Sequence, residues 1–125
     1  MYTSLLAVLI GGALGSAARW LIGIRLNAVF PNMPLGTVLV NLVGGFIIGA
    51  AMAFFMKSPQ SDPALRVFII TGLCGGFTTF SAFSLEVVTM LQNGRAGWAA
   101  TTILVHLVGS LAMTFAGFML MQRVQ

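Results

Sequence analysis

The sequence predicts an all-α integral membrane protein of four transmembrane helices, the third broken near its middle. Three observations lead there. Of 125 residues, 58% are hydrophobic and only 6% charged, whereas a soluble domain carries about 25% charged residues. Mean hydropathy is +1.02. The apolar residues fall in four long stretches separated by short loops of turn chemistry. At roughly 20 residues per spanning helix, such a chain holds about four crossings and no extramembrane catalytic domain. Disorder requires low hydrophobicity and is excluded. A single cysteine excludes a disulfide scaffold, a zinc centre built on thiolates and an iron–sulfur cluster. The apolar runs are longer than the alternating segments of a membrane β-barrel.

The helices are expected at about 4–26, 35–56, 65–91 and 97–121, forming one transmembrane domain over 1–125. The first stretch has no basic residue before its apolar run and is too long for a signal-peptide core, so it reads as a helix of the mature protein. The gap before the second contains Pro31, Asn32 and Pro34; the next contains Ser58-Pro59 and Asp62-Pro63; the last contains Asn93-Gly94. Pro and Gly beside polar residues punctuate helices, and short connections imply an up-down-up-down bundle. Tyr2, Trp20 and Trp98 lie near stretch ends and read as interfacial anchors.

Four crossings place both termini on one side. That face would hold Lys57, Arg66 and Arg123, and the other Arg25, Arg95 and, depending on depth, Arg19. The positive-inside comparison is then nearly balanced. A chain without bias can insert both ways, and two opposite copies can pair as an antiparallel dual-topology homodimer. The alternative is a fixed topology set by a partner. The sequence pI of about 10.8 comes from six basic residues near helix ends, with no cluster that would bind nucleic acid.

Polar side chains inside a bilayer are costly and therefore informative. In the first stretch, Arg19 either snorkels to the interface or faces an aqueous vestibule. Gly11 and Gly15 there, like Gly45 and Gly49 in the second stretch, have the spacing of close helix packing. The second stretch also carries Thr37 and Asn41 at i, i+4; Asn41 is either an interhelical clamp or a donor to an ion. The third spans about 27 residues, about 40 Å at about 1.5 Å per residue, against a hydrocarbon core of roughly 30 Å. Its middle, Thr71-Gly72-Leu73-Cys74-Gly75-Gly76-Phe77-Thr78-Thr79-Phe80-Ser81, is poor helix chemistry. A break over 75–79, rather than a simple kink, would free carbonyls that suit a hard cation such as Na⁺.

Phe80 and Phe83 then share a face, as do Ser81 and Ser84. A phenyl ring has a positive edge that can meet an anion, although plain packing is the ordinary reading. Glu86 is the only carboxylate in an apolar stretch and calls for a functional reading. The fourth stretch places Thr102, His106, Ser110 and Thr114 on one face. These side chains either line a polar path or bond to neighbouring helices and their own backbone. His106 has no ligand partner nearby in sequence, so it reads as a hydrogen-bonded helix residue or a pore-lining donor.

The run Gly72-Leu73-Cys74-Gly75-Gly76-Phe77-Thr78-Thr79-Phe80-Ser81-Ala82-Phe83-Ser84 resembles the signature of the Fluc family of fluoride channels. Gly36-Thr37-Val38-Leu39-Val40-Asn41-Leu42-Val43-Gly44 resembles that family's second helix, and the likeness extends over the whole chain. The resemblance implies a passive, selective fluoride channel that lets F⁻ leave microbial cells across the inner membrane and so relieves fluoride toxicity. It implies an antiparallel homodimer with two pores, each lined by both copies, and a central structural Na⁺ held by the backbone carbonyls of Gly75 and Thr78. It assigns the ion-facing ring edges to Phe80 and Phe83 and the second-helix amide to Asn41. Pore hydroxyls would be Thr37, Ser81, Ser84, Ser110 and Thr114. Arg19 matches a vestibule arginine, Glu86 a pore-adjacent position, and His106 stands where the family often has Tyr.

The competing reading is a small proton-coupled multidrug or cation exporter. That mechanism needs an embedded carboxylate, which such proteins carry in the first helix. Here 4–26 contains no acid, so Glu86 would have to serve. An assembly subunit without transport is a third reading. Enzymatic catalysis has no support, because His106, Cys74 and Glu86 are linked by no motif.

Overall fold

A computed structural model describes residues 1–125. The chain is helical throughout: α1 (Tyr2–Leu26), α2 (Leu35–Lys57), α3 (Pro63–Val67), a π-helical segment (Phe68–Cys74), α4 (Gly75–Phe77), α5 (Phe80–Gln92) and α6 (Ala96–Val124). Four helical spans, Tyr2–Leu26, Leu35–Lys57, Pro63–Gln92 and Ala96–Val124, are long and apolar enough to cross a membrane.

Local chemistry explains the less regular third span. Pro63 occupies the first turn of α3, where its missing N–H costs nothing. The side chain of Asp62 accepts from Ala64 N at 2.9 Å and caps that turn. The π-helical segment follows without interruption, and nothing in its sequence announces the wider turn. After Phe77 the backbone becomes extended at Thr78 (φ −85°, ψ 160°) and Thr79 (φ −152°, ψ 112°). Thr78 Oγ1 donates to Cys74 O at 2.8 Å, finishing the first segment. Thr79 Oγ1 accepts from Ala82 N at 3.1 Å and caps α5.

Packing follows the glycine pairs. A Cβ on Gly49 would collide with the carbonyl of Thr114, so α2 and α6 touch backbone to backbone. A Cβ on Gly11 would lie 2.6 Å from Phe68 O, which brings α1 equally close to the π-helical segment. Close approach of this kind supplies the dispersion contacts that hold helices together in lipid. A smaller cluster of Val87, Met90 and Ala99, flanked by Phe83 and Trp98, joins α5 to α6.

The loops are tied at each end. Arg95 Nη2 donates to Asn32 Oδ1 at 2.9 Å, and Phe30 meets Trp98 edge-on at 5.6 Å. These contacts join the α1–α2 connection to the α5–α6 connection. At the opposite end, Lys57 Nζ donates to Gln122 O at 3.2 Å. The outer surface is apolar: Leu5, Leu9, Leu14, Leu104 and Phe115 are exposed, as a chain solvated by acyl chains requires.

Candidate functional site

The polar chemistry gathers where α5 begins. Asn41, in the second turn of α2, faces the extended backbone of Thr79. Its Oδ1 accepts from Thr79 N at 2.7 Å, and its Nδ2 donates to Thr79 O at 3.0 Å. The same nitrogen lies 3.0 Å from His106 Nδ1. The amide thus replaces the helical partners that Thr79 loses where the helix stops, and both its amino hydrogens have acceptors within the chain. Because Oδ1 must face the Thr79 N–H, the orientation of the amide is fixed. Nδ2 is then the donor to His106, and the neutral imidazole carries its proton on Nε2. That Nε2 is buried without a partner.

Arg19 borders the smaller of two hollows beside Thr79 and is tied to the third span. Its Nε donates to Gly76 O at 3.0 Å, a cation at the carbonyl end of the first half of the broken span, where the helix dipole favours positive charge. Thr37 is buried, and its hydroxyl donates to Glu86 Oε2 at 2.7 Å. The other carboxylate oxygen, Oε1, is buried without a partner.

Thr79 borders two hollows. One, of about 550 Å³, is walled by Asn41, Gly75, Thr78, Phe80, Phe83, His106 and Ser110, among apolar residues. The other, of about 300 Å³, includes Arg19, Asn27, Thr37 and Ala82. Phe80 and Phe83 meet edge to face at 5.4 Å, and Phe83 lies 4.6 Å from the His106 ring. Phe80 is 79% exposed.

The candidate residues therefore divide. Phe80, Phe83, Asn41, His106, Ser110, Gly75 and Thr78 share the larger hollow; Thr37 and Arg19 share the smaller. Ser81, Ser84, Thr114 and Glu86 border neither. Ser81 Oγ lies 3.3 Å from Thr79 Oγ1. Thr114 donates to its own helix at Ser110 O, 2.9 Å, and buried Thr102 donates to Met90 Sδ at 3.4 Å. The hydroxyl stripe of α6 is thus partly turned back onto protein. Two participants escaped sequence reasoning. Thr79 acts through its backbone, for which the Thr78-Thr79 pair was the only signal. Asn27 accepts from Thr37 N at 3.1 Å from a loop that reads as simple turn chemistry.

A family profile described as CrcB-like protein, Camphor Resistance (CrcB), matches residues 6–118. A protein of Erwinia tasmaniensis named fluoride-specific ion channel FluC is 60% identical over 120 residues, 96% of each chain. Proteins of the same name from Pseudomonas paraeruginosa and Escherichia coli O1:K1 are 56% and 53% identical, covering 94% of this chain and 92% and 94% of theirs. These relatives are named as ion channels, not enzymes. With four membrane-spanning helices and this similarity along nearly its full length, the chain is a multi-pass membrane protein of the CrcB-like family.

Proposed function

We propose that this protein is a passive fluoride channel that lets F⁻ leave the cell across the inner membrane. It works as an antiparallel dual-topology homodimer with two pores and one structural Na⁺. One observation carries the reading. The Asn41-clamped break sets Phe80 and Phe83, edge to face, beside hydrogen-bonding groups in one hollow, in a chain whose relatives are named fluoride-specific channels.

The chemistry suits a small, strongly hydrated anion. A selective pore must replace water with donors while leaving the ion mobile. Ring edges and hydroxyls do so without a fixed charge at the narrowest point. Arg19 is engaged with Gly76 O, so its charge attracts anions from beside the path. Phe80 is the candidate for crossing to a second copy, because its own chain leaves it 79% exposed. Ser110 in the larger hollow and Thr37 in the smaller mark the path, with Glu86 and His106 beside it. Ser81, Ser84 and Thr114 would join it where a second copy completes the pore. Thr37 and Thr114 turn their hydroxyl protons to the ion only by leaving Glu86 and Ser110 O.

The backbone at the break fits Na⁺. The amides that would reach Gly75 O and Thr78 O in a continuous helix are those of Thr79 and Ala82. They donate instead to Asn41 Oδ1 and Thr79 Oγ1. Both carbonyls are left for a hard cation, which prefers oxygen ligands, and two copies would supply four. When bound, the ion contributes a positive charge that ties the two copies together.

The test is growth. A fluoride-sensitive bacterium lacking its own fluoride exit route should regain tolerance when it expresses this chain and lose it again with Phe80→Ile. Expression without any gain in tolerance would refute the proposal.

A further inference from the structure

We infer that Asn27 is a positioning residue for the ion path, acting as a remote cap that fixes Thr37. The inference rests on the channel reading only for its consequence in flux. Helix α2 begins after Pro34, which has no side chain able to accept a hydrogen bond, and its first turn has no local cap. The first amides of a helix lack intrahelical partners, and one that is buried needs a partner from elsewhere. Asn27 supplies it from ten residues upstream: its Oδ1 accepts from Thr37 N at 3.1 Å. That is the N3 amide, the position an ordinary cap side chain serves.

The backbone of Asn27 is held in place. Its N–H donates to Gly23 O at 3.0 Å, continuing α1 by one residue. Gly36 keeps the route open, since a Cβ there would lie 2.5 Å from Asn27 Oδ1. Thr37 then passes the constraint onward, because its hydroxyl donates to Glu86 Oε2 at 2.7 Å. The end of α1, the start of α2 and the body of α5 are thus linked through one buried threonine that borders the smaller hollow. With the Asn27 acceptor gone, the Thr37 amide is orphaned, the first turn of α2 frays, and the Thr37 hydroxyl leaves its place.

The experiment combines amide hydrogen exchange at Thr37 with F⁻ efflux, using purified dimers in lipid. Asn27→Ala should lower Thr37 protection about 2- to 30-fold, the range that loss of a cap implies, and reduce efflux. Asn27→Asp, which keeps the acceptor, should retain protection even if the alanine variant fails to fold. In a Thr37→Val background, Asn27→Ala should reduce efflux no further, because the hydroxyl it positions is already gone. Unchanged Thr37 protection in Asn27→Ala, lost protection in Asn27→Asp, or efflux losses that multiply would each overturn the inference. Wild-type protein that passes no F⁻ would refute the channel reading instead, and exchange would still decide whether Asn27 holds Thr37.

Discussion

Replacing Asn41 by Leu, similar in shape but without hydrogen-bonding atoms, tests what holds the break in the third span. Asn41 is the partner of both Thr79 N and Thr79 O, and its amino group also reaches His106 Nδ1. Leaving a buried backbone group unsatisfied costs about 1–3 kcal/mol; the two Thr79 groups are only part-buried, so about 2–6 kcal/mol is the upper bound. A lower bound comes from side-chain hydrogen bonds in membranes, which average about 0.6 kcal/mol; three of them give about 2 kcal/mol. At 1.4 kcal/mol per decade, even about 2 kcal/mol is roughly a 30-fold loss in the folding equilibrium. Reversible unfolding in detergent should therefore show Asn41→Leu destabilised by at least about 2 kcal/mol. F⁻ efflux should fall with it, since α5 no longer begins at a fixed place. Asn41→Asp keeps the acceptor for Thr79 N and should fall between the two. Stability within about 0.5 kcal/mol of wild type, the range of a neutral surface change, would refute the reasoning.

Other changes probe the remaining parts. Phe80→Ile should cut F⁻ efflux while leaving yield unchanged, because its exposed ring holds little of its own chain together; unchanged efflux would remove the aromatic role. Gly49→Ala should lose about 1–3 kcal/mol of stability, because its Cβ meets the Thr114 carbonyl. Gly12→Ala, with nothing within 4 Å, should fold normally, and detergent unfolding of the pair checks both. Two lysines added between Lys57 and Ala64 should bias insertion and lower active dimers, with recovery on co-expression with an oppositely biased chain; activity untouched by either would count against dual insertion. Exchange of Na⁺ for a large organic cation during purification should weaken the dimer, read by its dissociation on dilution.

Much of this was legible in the sequence because lipid makes polar residues conspicuous. The composition and four apolar runs gave the spanning helices, and Asn93-Gly94 marks a real turn, with Gly94 at φ 71°. The poor helix chemistry around Gly75 drew attention to the third span, but its detail was hidden. Gly75, Gly76 and Phe77 remain helical, and the extended residues are the two threonines. The preceding π-helical segment was not legible either: Thr71 and Gly72 weaken a helix, but weak propensity does not distinguish a wider turn from a kink. Contacts between distant residues were equally invisible: Arg19 finding Gly76 O, Thr37 finding Glu86, and Asn27 finding Thr37 depend on how helices pack. Spacing placed Thr114 on a polar stripe, yet its hydroxyl turns back to its own helix, a choice periodicity does not distinguish.

The central claim is that the chain is a passive, fluoride-selective pore. Its most direct test is anion efflux from liposomes holding the purified protein, with F⁻ and Cl⁻ compared under a potassium-set voltage. Such a pore gives rapid F⁻ efflux, little Cl⁻ efflux, and no dependence on an imposed proton gradient. Verified dimers that pass no F⁻, or that move ions only when protons move with them, would contradict it and return attention to Glu86 and the exporter reading.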